Sequence, residues 1–330
     1  MRITEPDRSF QEPSIISAYP PKHHLEPADS RQLLLKGLYS VVLYLGLGYL
    51  LLKRWDLLLV IFGIIILHEA GHFLAMKYYN YADVSVLFLP FIGAFVKGSK
   101  KEVSQKQSAV ILLAGPLPGI MLGIIIHFLN NGNQSNYIGG VPLQLVAQLL
   151  IWANLLNLLP LYPLDGGQLL NRVFLNEEGR LSNIFIFLSI AVIACFAINI
   201  KFYILLAFPA LLVYRFFSAR SSTKLEKQID QSGIDVDKNF EDLTDEEYWK
   251  LRSIVIKHTP AFQQVAAGPP FVYDDKETRI ATEVDSVLQR NLLMDISVVQ
   301  KLLVLFIWAL FILLPYLLNI DFLLIRYLYR

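Results

Sequence analysis

The sequence predicts an all-α polytopic membrane protein: about seven transmembrane helices, a short membrane-associated β-hairpin and a small cytoplasmic helical domain. Three observations carry this. Hydrophobic residues make up 55% of the 330 positions and charged residues only 17%. Apolar runs of about 18–25 residues recur, each long enough to cross a hydrocarbon core of about 30 Å. Two stretches break the pattern: a short β-branched and aromatic one after Asn80, and a charged one over 218–297. A net charge of +1 supplies no field for nucleic acid, which is not expected as a partner. Cys195 is the single cysteine and lies in an apolar run, so no intramolecular disulfide forms and a thiolate metal site is disfavoured.

The chain opens with a polar segment, 1–32, rich in Pro, His, Asp and Glu and without the basic-then-apolar pattern of a cleaved leader. A membrane-embedded domain follows over 33–217, with its core at 57–175. Leu33–Leu52 is the first expected span, closed by Lys53-Arg54-Trp55-Asp56, and the second runs from Leu57 to Tyr79. The stretch between Asn80 and Gln107 is broken by Pro90, Gly93 and Gly98. It reads either as a strand hairpin dipping into the membrane or as an interfacial loop. The third span, Ser108–Leu129, contains Ala114-Gly115-Pro116-Leu117-Pro118-Gly119 and should kink there. Pro142–Leu159 is the fourth. Leu181–Phe217 is too long for one crossing, more than about 50 Å if helical. A break at Asn199–Lys201 divides it into two spans.

Residues 218–297 read as a soluble helical domain. Thr244-Asp245-Glu246-Glu247 matches a capping box, and Gly268-Pro269-Pro270 separates that helix from an amphipathic stretch at Thr282–Leu293. The last segment, 298–330, holds a final span at Val299–Leu318, kinked near Pro315. Lys77, Lys97, Lys100, Lys101 and Lys106 lie between the second and third spans, and no lysine or arginine lies between the third and fourth. The first of these sides is therefore expected to be cytoplasmic, together with the N-terminus and the soluble domain. Lys53, Arg54, Lys201, Arg326 and Arg330 run against that rule. The expected setting is a bacterial cytoplasmic membrane.

The chemistry gathers in the second span, where an apolar run leads into His68-Glu69-Ala70-Gly71-His72. Ionisable side chains at membrane depth cost several kcal/mol and mark function. Positions i and i+4 share a helix face, so His68 and His72 can present two imidazoles to one Zn²⁺ ion. Glu69, beside the first of them, can act on water as general base. A catalytic zinc generally takes a third protein ligand. Of the six histidines, His23, His24 and His258 lie in polar segments and His127 at the far end of the third span. Asp165 is the carboxylate left: Pro160 and Pro163 stop the helix before it, and Gly166-Gly167 allows a tight turn that aims it inward.

HEAGH in one span, followed in another by Asn157-Leu158-Leu159-Pro160-Leu161-Tyr162-Pro163-Leu164-Asp165-Gly166-Gly167, resembles the site-2 protease family of intramembrane zinc metalloproteases. The family's Leu-Asp-Gly motif matches Leu164-Asp165-Gly166, and its preceding Asn and Pro match Asn157 and Pro160, with Pro163 one residue beyond the commonest spacing. The segment PFIGAFVKG resembles the family's membrane-associated hairpin. AGPLPG resembles its Gly-Pro motif, with Gly119 where Asn is usual. The resemblance covers 57–175 and leaves the N-terminal segment, 218–297 and the last span unexplained.

It implies hydrolysis of a peptide bond in or near the transmembrane segment of a single-pass membrane protein, within the lipid bilayer. His68 lies about 13 Å along the helix from Lys77, so the site is expected nearer the cytoplasmic side. His68, His72 and Asp165 would hold the metal and Glu69 would move the proton. Asn157 would either donate to substrate or oxyanion, or bond between helices. The hairpin edge could pair with an unwound substrate strand. A catalytically inactive relative, binding membrane segments as chaperone or regulator, is the alternative, and it has no need of Glu69. A zinc transporter would need more polar residues along its path, and a membrane oxygenase many more histidines than six.

Overall fold

The computed structural model describes residues 19–25, 30–89, 93–100, 103–130, 136–175, 179–201, 203–207, 209–213, 225, 228–229, 231–236, 238–288 and 292–320. They fall into two compact units: Pro27–Phe217 with Arg290–Arg330, and Met1–Glu26 with Ser218–Gln289. The polar segment through residue 18 and the sixth expected span from residue 214 lie outside the described residues.

In the larger unit, α1 (Ser30–Leu52) and α2 (Trp55–Tyr78) are joined by Lys53, whose φ of 55° turns the chain back. The Asn80–Gln107 stretch is a hairpin, not a loop: β1 (Ala82–Leu89) pairs antiparallel with β2 (Gly93–Ser99), Val86 opposite Val96. Gly93, at φ 120°, begins the return strand. The hairpin is held against α1 and α2: Phe88 is buried with Tyr44 and Leu58, and its N–H donates to Ser40 Oγ at 3.1 Å. After β3 (Val103–Ser104), Ser104 caps α3 (Gln105–Ala114) by accepting from Gln107 N. The expected break falls where Pro116, which has no N–H to donate, starts α4 (Pro116–Asn130).

Gly71 of α2 fits against that break. A Cβ there would lie 2.6 Å from Ala114 C and overlap its carbonyl oxygen. Gly71→Ala is therefore expected to cost about 1–3 kcal/mol by overpacking. The measurement is the thermal midpoint of the protein in detergent, and an unchanged midpoint would contradict the tight fit.

α5 (Leu143–Asn157) packs along α4. It is shorter than the expected fourth span, because the chain leaves the helix at Leu158, ahead of Pro160. α6 (Asp165–Leu170) follows, and α7 (Arg180–Asn199) ends where expected, with Lys201 at φ 56°.

In the smaller unit, α8 (Asp245–His258) carries the expected capping box, Thr244 and Glu247 bonding each other's backbone N–H. Its core joins Tyr248, Trp249, Leu251 and Val255 to Ile280, Ala281 and Val284 of α9 (Glu277–Val287). α9 begins earlier than the expected amphipathic stretch, because Glu277 is drawn inside to meet Arg252. Residues 19–25 pack here too. Trp249 Nε1 donates to Pro20 O at 2.7 Å, and Lys22 Nζ donates to the carbonyls of Phe240 and Leu243.

Returning to the larger unit, Leu292–Leu293 is not the end of a helix but a short strand, β4, parallel to β3. The last helix, α10 (Val298–Leu317), contains Pro315 and reaches the core through Trp308, whose Nε1 donates to Leu158 O at 2.9 Å.

Among the described residues five helical segments are long and apolar enough to cross a membrane: Leu34–Leu52, Trp55–Tyr78, Gln105–Asn130, Arg180–Asn199 and Val298–Leu317. α5 is apolar but shorter. The fold is mostly helical with three small two-stranded sheets among the described residues, and the expected count of seven spans is not reached by these residues.

Candidate metal centre

α2 is apolar along most of its length, yet three of its buried residues are His68, Glu69 and His72. They lie where α3, α4 and α5 pack on the helix. One turn apart, the two imidazoles bring their Nε2 atoms to 3.1 Å. Asp165 arrives from the other direction. After α5 the chain doubles back, with Leu161 N bonded to Leu159 O and Leu164 N to Leu161 O. Asp165 then occupies the first turn of α6. Gly166 and Gly167 do not form the expected tight turn. They lie inside α6, where a Cβ on Gly166 would meet Leu159 O at 2.7 Å, and their role is to let the helix press on the preceding loop. Asp165 Oδ2 stands 3.1 Å from His68 Nε2 and 3.4 Å from His72 Nε2. His68, His72 and Asp165 each offer one ligand atom, all within 4.8 Å of one another.

Hydrogen-bond partners settle which nitrogens face the centre. His72 Nδ1 lies 2.8 Å from the Ile111 carbonyl, which can only accept, so Nδ1 carries the hydrogen. His68 Nδ1 lies 2.8 Å from Asn154 Oδ1, and Asn154 Nδ2 is already spent on Leu150 O at 2.7 Å. His68 Nδ1 is therefore also the donor. In the neutral rings both Nε2 lone pairs then point at each other and at a carboxylate oxygen. Asp165 Oδ2, although close to both rings, has no contact with hydrogen-bond geometry. Three acceptors converging without a donor repel, and a cation between them reverses that sign. Two imidazoles and one carboxylate, each imidazole steadied through its other nitrogen, form a donor set suited to zinc with an open position. Glu69 is 5% exposed and its Oε2 has no partner, leaving a carboxylate beside the cluster and outside it.

The structure thus gathers His68, His72 and Asp165, with Glu69 adjacent on α2. It does not bring Asn157 into the hydrogen bonding of that group: its amide donates to Ala153 O of its own helix at 3.4 Å. Asn154, one turn earlier, is the amide that reaches an imidazole. Sequence reasoning passed over it, although it shares a helix face with Ala147, Leu150 and Ile151, all buried. The Ile111 carbonyl has no side-chain signature at all. His127 bonds Gln144 at 2.7 Å, apart from the centre.

The fold and the cluster together describe a multi-pass helical membrane protein with two histidines and one aspartate that could hold a metal ion. In comparison with known proteins, residues 56–136 match the model of Peptidase family M50. Zinc metalloprotease MJ0392 of Methanocaldococcus jannaschii is 29% identical over 128 residues, covering 38% of this chain and 37% of that protein. Stage IV sporulation protein FB of Bacillus subtilis is 30% identical over 129 residues, covering 38% and 42%. The chain thus spans about two fifths of the length of the curated relatives it matches. A solved structure, the site-2 protease from Methanocaldococcus jannaschii, aligns at a TM-score of 0.40 and 23% identity over 55% of this chain and 85% of that one. The resemblance read from the HEAGH and Leu-Asp-Gly motifs is borne out.

Proposed function

We propose that this chain is an intramembrane zinc metalloprotease, hydrolysing a peptide bond in or near the transmembrane segment of a single-pass membrane protein. One observation carries the reading: ligand atoms of His68, His72 and Asp165 lie within 4.8 Å of one another, beside a buried Glu69 carboxylate whose Oε2 has no partner. The matches to peptidase family M50 and to a zinc metalloprotease support it.

Zinc, when bound, supplies a Lewis acid that polarises a carbonyl and acidifies water. His68 and His72 would hold it through Nε2 and Asp165 through a carboxylate oxygen. Glu69 takes a proton from water as the water oxygen attacks the scissile carbonyl carbon. The same carboxyl then returns the proton to the amide nitrogen as the C–N bond breaks, giving an amine and a carboxylic acid, and the acid's proton passes to the amine so that the products leave as ammonium and carboxylate. Asn157 enters as a donor to the substrate backbone; its bond to Ala153 O is long enough to be exchanged.

A helical substrate hides its carbonyls and must unwind locally. β1 gives Phe88 N to Ser40, so pairing with the unwound strand is assigned to β2. Lys77 lies about 13 Å along α2 from His68, which puts the centre nearer the end of the helix expected at the cytoplasmic face. The domain boundaries at 32, 217 and 297 belong to the same proposal.

The test is zinc content and cleavage of a model single-pass substrate, measured on the same liposome preparation for the wild type and Asp165→Ala. Roughly one zinc per chain with cleavage in the wild type, and loss of both in the variant, is expected. A chelator should abolish cleavage and added zinc restore it. A wild type without zinc, or with zinc and no cleavage across a panel of transmembrane segments, overturns the proposal.

A further inference from the structure

His68 owes its orientation to a side chain from another helix, and that side chain exists where it does because of a glycine on a third. Asn154 is 1% exposed. Its Nδ2 donates to Leu150 O at 2.7 Å, one turn back on α5, which forbids the amide from flipping. Its Oδ1 is thereby committed to His68 Nδ1, at 2.8 Å. The amide occupies space that α4 leaves open at Gly119. A Cβ at that position would stand 2.7 Å from Asn154 Cγ and 3.0 Å from Oδ1, and would overlap Nδ2. One turn further along α4, Gly123 gives the same relief to the α5 backbone, where a Cβ would lie 2.9 Å from Ala147 O. The two helices therefore approach closely enough for Asn154 to pass α4 and reach α2.

We propose that Asn154 is a positioning residue for the metal ligand His68, and that Gly119 is the partner that makes its position possible. The physical argument is tautomer selection. An oxygen acceptor at Nδ1 keeps the hydrogen there and leaves the Nε2 lone pair for the metal. Without it, the hydrogen is free to move to Nε2, the very atom that faces Asp165 and His72, and the ligand set is lost for that fraction of molecules. His72 has a backbone carbonyl for the same purpose, which mutation of a side chain cannot remove. His68 depends on a side chain. The two ligands are thus held by unequal means, and the centre is vulnerable at one of them.

This inference rests on the metal reading above, and its test separates the two. Zinc affinity is measured by chelator competition in detergent on the intact protein, together with the thermal midpoint of the metal-free form. The proteins compared are the wild type, Asn154→Leu, Asn154→Asp, Gly119→Ala and the double variant Gly119→Ala/Asn154→Leu. Asn154→Leu is expected to weaken zinc binding about 10- to 100-fold, the usual effect of losing the partner of a metal-bound imidazole. Asn154→Asp keeps an oxygen at Nδ1 and should recover most of that loss. Gly119→Ala should weaken binding by displacing the amide, and the double variant should bind no more weakly than the worse single one, since the amide can be lost only once.

Equal affinity in the wild type and Asn154→Leu overturns the assignment. So does Asn154→Asp binding as weakly as Asn154→Leu, which would mean that shape and not the acceptor matters. Losses that simply add in the double variant overturn the coupling to Gly119. A loss of affinity matched by an equal fall in the metal-free midpoint across all four variants would show a general packing role instead. A wild type that binds no zinc brings down the metal reading itself.

Discussion

Glu69→Gln is expected to retain zinc at the wild-type level and to lose peptide-bond hydrolysis by at least about 10²- to 10⁴-fold, the usual contribution of a positioned general base. The substitution keeps the shape of the side chain, and α2 around it is unchanged. Zinc is retained because the three converging ligand atoms belong to His68, His72 and Asp165. Hydrolysis is lost because an amide cannot take the proton that water must surrender. The carboxylate it replaces is buried and one of its oxygens has no partner, so no structural bond is lost with it. Both quantities are read from one preparation: metal content per chain, and cleavage of a transmembrane substrate over time. Cleavage at the wild-type rate would remove Glu69 from the chemistry, whereas loss of zinc would make it a structural support of the centre.

In the smaller unit the largest effect is expected from Arg252→Leu. Arg252 is 1% exposed and donates from Nε and Nη2 to the two oxygens of Glu277, each at 2.8 Å. Nη1 holds Ala266 O at 3.0 Å, and Tyr248 OH donates to the same carboxylate at 2.5 Å. Removing the guanidinium leaves a buried carboxylate without its counter-charge, a loss of about 3–5 kcal/mol. Read by hydrogen exchange, the amides of α8 from Tyr248 to Ile256 should lose roughly a hundred- to five-thousand-fold in protection. Arg252→Met combined with Glu277→Leu should recover a large part of that, since a buried ion pair replaced by apolar groups is often neutral. If the single variant keeps its protection, the pair is not a support of the unit.

The same pair makes the unit acid-sensitive. Burial by itself raises the Glu277 carboxyl, but the hydrogen bonds from Arg252 and Tyr248 outweigh it and hold the group below its ordinary value. A folded-state value below the unfolded one contributes stability above the ordinary glutamate pKa of about 4.3, and that contribution is lost as pH falls through the folded-state value.

Much of the candidate metal centre was legible in the sequence. His68 and His72 are four apart on one apolar helix, so they must share a face in any packing of that helix, and Glu69 comes with them. Asp165 was legible by exclusion, as a carboxylate following an apolar span when the other histidines lay elsewhere. The hairpin after Asn80 was legible as strand composition but not as a commitment, because the residues that decide it, Ser40 and Tyr44, sit on α1. The start of α9 was misplaced for a similar reason. A glutamate reads as a solvated residue until an arginine on another helix draws it inside. Leu292–Leu293 was read as the end of a helix because its strand partner lies far away in the chain.

The division follows the range of the forces involved. By itself the sequence determined what local periodicity and transfer free energy determine: which segments are apolar enough for a membrane, where prolines break them, and which ligand types lie one helical turn apart. Only the tertiary structure decided what depends on groups brought together from different helices. It brought Asp165 to within 3.4 Å of both imidazoles and turned Gly166 and Gly167 into packing contacts. It also chose Asn154 rather than Asn157 to face His68, although the two are the same residue type in the same apolar run. No property of either asparagine alone separates them. What separates them is the space beside Gly119 on a neighbouring helix, and a vacancy of that kind is a property of two packed surfaces.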